Sequence, residues 1–254
     1  MHTATRSAVL LAALTLLFSA APARAETVAC TAITTVPYVI TLPGIYCLTG
    51  DLSTAMTSGY AIEIQTSNVV LDLNGHKLGG LAAGPGTVAT GIFASARKNI
   101  TIRNGTVRGF VYGILLGNSP AQGHVVEDVR ADQNTIGGIR VEGTGIIIRN
   151  NQVVATGGAT CCGANASTTG IWALGTGARV LDNDVVDTAG VGTGAGRAIS
   201  MTTTGGMAVN NRITQADLGI IFSGSGPSTG KYRDNITFAV TAPYTGGTDI
   251  GNNN

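Results

Sequence analysis

Only 15 basic and 14 acidic residues stand among 254, with three His and four Cys, so the side chains able to do chemistry can be taken group by group. The best-placed group is Glu63, Phe93, Arg140, Glu142 and the lone tryptophan, Trp172. Each follows, by one or three residues, an isoleucine that is itself preceded by Gly or Ala. Aromatic rings beside carboxylates and a guanidinium suit a sugar: the ring stacks on C–H faces and the polar groups bind hydroxyls. Trp172 could lie under a sugar ring while Arg140 holds the carboxylate of an acidic one. These five are therefore read as substrate-binding, with an acidic polysaccharide as the expected partner. No catalytic residue can be named from the sequence.

The remaining candidates are weaker. Asp182, Asp184 and Asp187 in LDNDVVD raise calcium, a hard cation that needs six or more oxygens. The segment lacks the Gly and distal Glu of an EF-hand loop, and strand alternation would split its carboxylates. It is read as turn solvation, and no metal or other cofactor is expected. His76 and His124 sit at turn positions far apart in the chain, each without an acid–base partner. Cys30 and Cys47 bracket a stretch with Pro37, Pro43 and Gly44 and are expected to be bridged, closing a loop worth ~3 kcal/mol. Cys161 and Cys162 are adjacent; a vicinal disulfide, free thiols and pairing elsewhere all remain open.

What positions these side chains is a repeat. A small residue followed by Ile recurs at Ala61-Ile62, Gly91-Ile92, Gly113-Ile114, Gly138-Ile139, Gly170-Ile171, Ala198-Ile199 and Gly219-Ile220. After each comes a short alternating stretch that ends in turn chemistry, such as VVLDLNG (69–75), ITIRNG (100–105), IIIRNN (146–151) and RVLDND (179–184). Units of this length with no amphipathic helix cannot bury a face alone, but stacked they share one core. The expected fold is all-β: a single-stranded right-handed parallel β-helix of about seven coils.

Two-residue alternation then assigns faces. Leu71, Leu73, Ile100, Ile102, Ile146, Ile148 and Leu181 are expected inside. Asn104, Asp128, Asn150 and Asn183 are expected to stack as an internal hydrogen-bonded ladder. Asp72, Arg103, Glu127, Arg149 and Asp182 are expected outside, where their alternating signs favour register. If the repeated Ile residues face inward, the small residues before them would form an outward channel. The column Glu63, Phe93, Leu115, Arg140, Trp172, Ser200 and Ile221 would lie beside it, with Gln65, Glu142 and Thr202 two positions on.

Composition excludes several classes. Hydrophobic residues at 44% exclude intrinsic disorder, and a net charge of +1 gives no footprint for nucleic acid. Arg6, the apolar run 8–18 and Ala23-Arg24-Ala25 read as a signal peptide over residues 1–25. No second apolar stretch of membrane length follows, so no membrane partner is expected after cleavage. The remainder divides into an N-terminal cap (26–58), the repeats (59–240) and a closing strand and tail (241–254). The expected product is a secreted or periplasmic monomer.

NVVLDLNGHKLGG (68–80), preceded by LPGIYCLTGDLS (42–53) and followed by ARKNITIRNGTVRGF (96–110), resembles secreted bacterial right-handed β-helix repeat proteins of the pectin-lyase-like superfamily. The resemblance implies the fold over nearly all of the mature chain. It implies no single activity, because the superfamily holds lyases, glycoside hydrolases, epimerases and adhesins. Its well-known catalytic signatures are missing: no Arg stands two before Pro, Trp172 lies in GIWALG, neither His76 nor His124 is followed by Gly, and no Asp-Pro occurs. Polysaccharide association through the Phe93–Arg140–Trp172 face is the leading reading. A non-catalytic structural or surface-interaction protein is the alternative, and a lyase or hydrolase with a non-standard site is the third.

Overall fold

A computed structural model describes residues 29–223 and 230–254; the leader expected at 1–25 lies outside the described residues. The chain is all-β, with a three-residue 3-10 turn at Leu81–Ala83 as its one helical piece among the described residues. It winds as a parallel β-helix of about eight turns.

Three sheets form its sides. The first stacks Tyr38–Ile40, Tyr60–Ile64, Thr90–Ser95, Tyr112–Gly117, Gly137–Glu142, Thr168–Leu174 and Gly196–Thr202 in parallel register. The second stacks Gly44–Leu48, Val69–Asp72, Ile147–Arg149, Arg179–Leu181 and Met207–Val209 among others. Ile100–Arg108 and Val125–Asp132 bend from the second sheet into the third, which also holds Gln152–Thr156 and Asp184–Thr188. Arg212–Phe222 and Ile236–Thr245 run from the third sheet into the first.

The repeated isoleucines, Ile62, Ile92, Ile114, Ile139, Ile171, Ile199 and Ile220, are fully buried and stack along the inside of the first sheet. The small residues before them do not form the expected outward channel. They turn the corner into the sheet, and their Cα–Cβ direction points inside: a Cβ on Gly138 would lie 2.6 Å from Val153 Cγ1, and one on Gly170 would lie 2.8 Å from Val185 Cγ1. Ala61 and Ala198 are buried in the same row. Small size is needed here for close packing against the third sheet, not for ligand access.

A second correction concerns the ladder. The ladder is formed by the buried Asn151, Asn183, Asn211 and Asn235: from Asn151 onward each donates its backbone N–H and Nδ2 to the Oδ1 of the next, at 2.9–3.1 Å, ending on Asn253. Of the expected set only Asn183 belongs to it. Asn104, Asp128 and Asn150 occupy the corner residue before, in the left-handed region with φ of 58°, 54° and 55°. A left-handed residue interrupts strand alternation, so counting through it puts the side chains one place out. The same slip misplaced Leu181: Val180 is buried, and Leu181 stands beside Arg149 on the outer side, where Asp182 was expected.

The outer charge column does run Asp72, Arg103, Glu127, Arg149 in direct register. Arg103 pairs with Asp72 at 2.9 Å and Arg149 with Glu127 at 2.6 Å. Asp72 is buried rather than solvent-facing, which its added hydrogen bonds from the Asn74 N–H and Asn104 Nδ2 make tolerable.

Aromatic rings fill both ends. Tyr38 meets Tyr46 edge-on at 6.5 Å, and Tyr232 stacks between Phe222 and Tyr244 at 5.9 and 4.9 Å. Cys30 is bonded to Cys47, beside which Thr31–Ile33 pairs with the second sheet. The strands Tyr38–Ile40, Gly44–Leu48 and Leu52–Ser53 pair with the next coil, so the segment read as a cap contains one turn of the helix. Lacking a small residue–Ile pair, that turn does not show in the repeat.

Candidate functional site

The outer side of the first sheet brings the five sequence-predicted site residues onto one surface. Parallel register runs Glu63, Phe93, Leu115, Arg140, Trp172, Ser200 in neighbouring strands. Glu142 lies two residues beyond Arg140 and pairs with Leu174. Alternation puts Glu63, Phe93, Arg140 and Trp172 each next to a buried Ile and Glu142 next to the buried Val141, and all five are half-buried at the surface.

Arg140 organises the centre. Its Cζ lies 4.2 Å from the centroid of the Trp172 ring. Its Nε and Nη2 donate to the same Glu142 oxygen, Oε1, at 2.9 and 2.5 Å. The other Glu142 oxygen accepts the Asn118 backbone N–H at 3.1 Å. Trp172 Nε1 is buried with no hydrogen-bond partner among the described residues. Beside Glu142 a cleft of about 290 Å³ opens between the turn at Asn118 and Ser119 and the turn at Gly175 and Thr176.

Two rings on this surface escaped the sequence reading. Tyr60 stacks on Phe93 with centroids 3.9 Å apart and planes 6° from parallel. The Tyr112 ring lies over Gly137, where an added Cβ would come within 2.5 Å of its Cδ1. The signal was present: both tyrosines stand immediately before the small residue of their repeat, in the row Tyr60, Thr90, Tyr112, Gly137, Thr169, Arg197. That row precedes the corner, outside the alternation counted from the isoleucines.

The 158–168 turn holds to its own corner. Thr160 N donates to Pro85 O, and Val191 N and Thr193 N donate to Ala166 O and Asn165 Oδ1. These hydrogen bonds join neighbouring turns into one stack. Cys161 and Cys162 are bonded to each other within it.

The other candidates lie elsewhere. His124 is buried in the row of Ile100 and Ile146, its Nδ1 accepting the Ile100 N–H at 3.3 Å, and burial pushes its pKa down to about 4. His76 stands near Asp51 at 3.7 Å. Asp184 is taken by Arg212 and Asp182 by Asn210 Nδ2, and no cluster of three metal-binding side chains occurs among the described residues.

Stacked parallel coils, inward isoleucine rows and a buried asparagine ladder define a right-handed parallel β-helix. Among solved structures, the Dettilon tailspike protein superposes with a TM-score of 0.51 at 15% identity, over 89% of this chain and 59% of that one. The pectate lyase Pel9A gives 0.45 at 13% identity, over 83% and 58%, and the mannuronan C-5 epimerase A-module of Azotobacter vinelandii gives 0.33 at 14%, over 83% of each. The chain therefore spans under three fifths of the first two. No protein-family model matches it, and no curated protein does.

Proposed function

We propose that the protein associates with polysaccharide along the outer side of its first sheet, with Glu63, Phe93, Arg140, Glu142 and Trp172 as binding residues. The observation that carries this reading is the register: aromatic rings at Tyr60, Phe93, Tyr112 and Trp172 share one surface with the carboxylates and the guanidinium. Strands spaced ~4.8 Å apart make such a surface a ruler along which an extended chain of sugars can lie. Export to an oxidising compartment accords with the two disulfides.

The second reading is a structural one, in which the column only holds register. Arg140 favours it, being already engaged by Glu142 and Trp172. An acidic sugar, the ligand expected from a free Arg140, would have to displace Glu142. A glycan array probed with the native chain and with Trp172→Ala separates the two readings. Binding that the variant loses while its melting curve persists supports association. No binding by either protein leaves the structural reading.

A further inference from the structure

Resting on that reading, we infer that the Trp172 subsite selects an uncharged sugar and that Glu142 is the residue that turns acidic ones away. Four ionic side chains occupy the outer rows of the first sheet: Glu63, Arg140, Glu142 and Arg197. Two are acidic and two basic, so the surface has no net charge to draw a polyanion. Among the described residues Arg140 is the one cation on the Trp172 ring, and its Nε and Nη2 both donate to one Glu142 oxygen.

A carboxylate on the sugar could not simply add to this arrangement. A guanidinium binds a carboxylate through a planar fork of N–H donors; Glu142 already takes the Nε–Nη2 edge of Arg140 and neutralises its charge, so a second carboxylate at the Nη1 edge would stand uncompensated beside Glu142. Displacing it would leave a half-buried carboxylate beside the incoming one, a like-charge pair. Glu142 is also fixed from two further sides. The Asn118 N–H holds its second oxygen, and Gly117 leaves the space over which it lies, since a Cβ there would stand 3.0 Å from Glu142 Cδ. Sugar hydroxyls meet no such barrier, because a paired Arg and Glu present donors and acceptors together without net charge. Arg197 lies across the surface in the row of Thr169, away from Glu142.

The test is affinity electrophoresis of the full chain in neutral glucans, mannans and xylans, and separately in polygalacturonate and alginate. The native chain should be retarded by a neutral polymer, with little effect of salt, and not by the acidic ones. Glu142→Gln removes the charge that neutralises Arg140, so retardation by an acidic polymer should appear, weaken with salt and vanish when Arg140→Ala is added. Glu142→Ala, which removes the carboxylate and its hydrogen bonds altogether, should shift selectivity the same way and covers a folding defect in the first variant. Native binding to an acidic polymer as tight as to any neutral one would overturn the selectivity. So would acidic binding unchanged in both variants. Binding to neither kind of polymer overturns the association itself, so the two failures are distinct.

Discussion

The guanidinium of Arg140 lies 4.2 Å from the centroid of the Trp172 ring, and the two residues are paired across neighbouring coils. Stacking of this kind is worth ~0.5–1 kcal/mol at an exposed site, far less than a buried aliphatic side chain. Ile171, the next residue, is fully buried. Trp172→Ala should therefore lower the melting temperature by only a few degrees, whereas Ile171→Ala should cost ~2–5 kcal/mol. Thermal melts of both variants check this. Equal losses would mean that Trp172 is core rather than surface.

The asparagine ladder predicts a sharper contrast. Asn211→Ala removes the Oδ1 that receives both the N–H and the Nδ2 of Asn183, and frees the Val180 carbonyl. Each buried group left unpaired costs ~1–3 kcal/mol. Asn150 turns its corner with φ of 55° and is exposed, so Asn150→Gly should leave stability nearly unchanged. Urea titrations of the two variants should differ severalfold in lost stability, and similar losses would remove the ladder's structural role.

His124 makes the fold acid-sensitive. Its folded pKa of about 4 lies below the usual 6.5, because burial among Ile100 and Ile146 disfavours the imidazolium. Between those two values the unfolded chain binds the extra proton, so stability is full above pH ~6.5 and falls as pH drops toward ~4. His124→Val should abolish that part of the pH dependence between pH 7 and 5. Denaturation at both pH values checks it, and an unchanged slope would place the acid sensitivity elsewhere.

The Cys30–Cys47 bond closes a loop with a sequence separation of 17, which the chain-entropy model values at ~3 kcal/mol. Replacing both by Ser should loosen the first coil before the rest. Hydrogen exchange should then rise at Ile33, Tyr46 and Leu48 while Ile139 and Ile171 stay protected. Uniform loss of protection would show that the bridge supports the whole stack.

Much of this architecture is legible in the residues, and the errors share one cause. The isoleucines from Ile62 to Ile220 fall on one inner row because a straight strand keeps its two-residue phase, and that phase also puts Glu63, Phe93, Arg140 and Trp172 outside. Phase is lost at corners. Left-handed Asn150 and Asp182 reset it, which hid Asn151 and turned Val180 inward in place of Leu181. The bend at Ala61 and Gly113 hid Tyr60 and Tyr112 from the surface count. Pairing of Arg140 with Glu142, two residues apart on one strand face, depends on rotamers and on the Asn118 turn, which spacing alone does not specify.

Trp172 is the single tryptophan, so its fluorescence tests the central claim directly. The measurement is emission and iodide quenching of the full chain titrated with the polysaccharide that retards it most. Association along the first sheet predicts a saturable change in emission and protection from iodide, both with the same midpoint as binding. A polysaccharide that binds while Trp172 emission and quenching stay unchanged would place the site on another side of the helix and contradict the account.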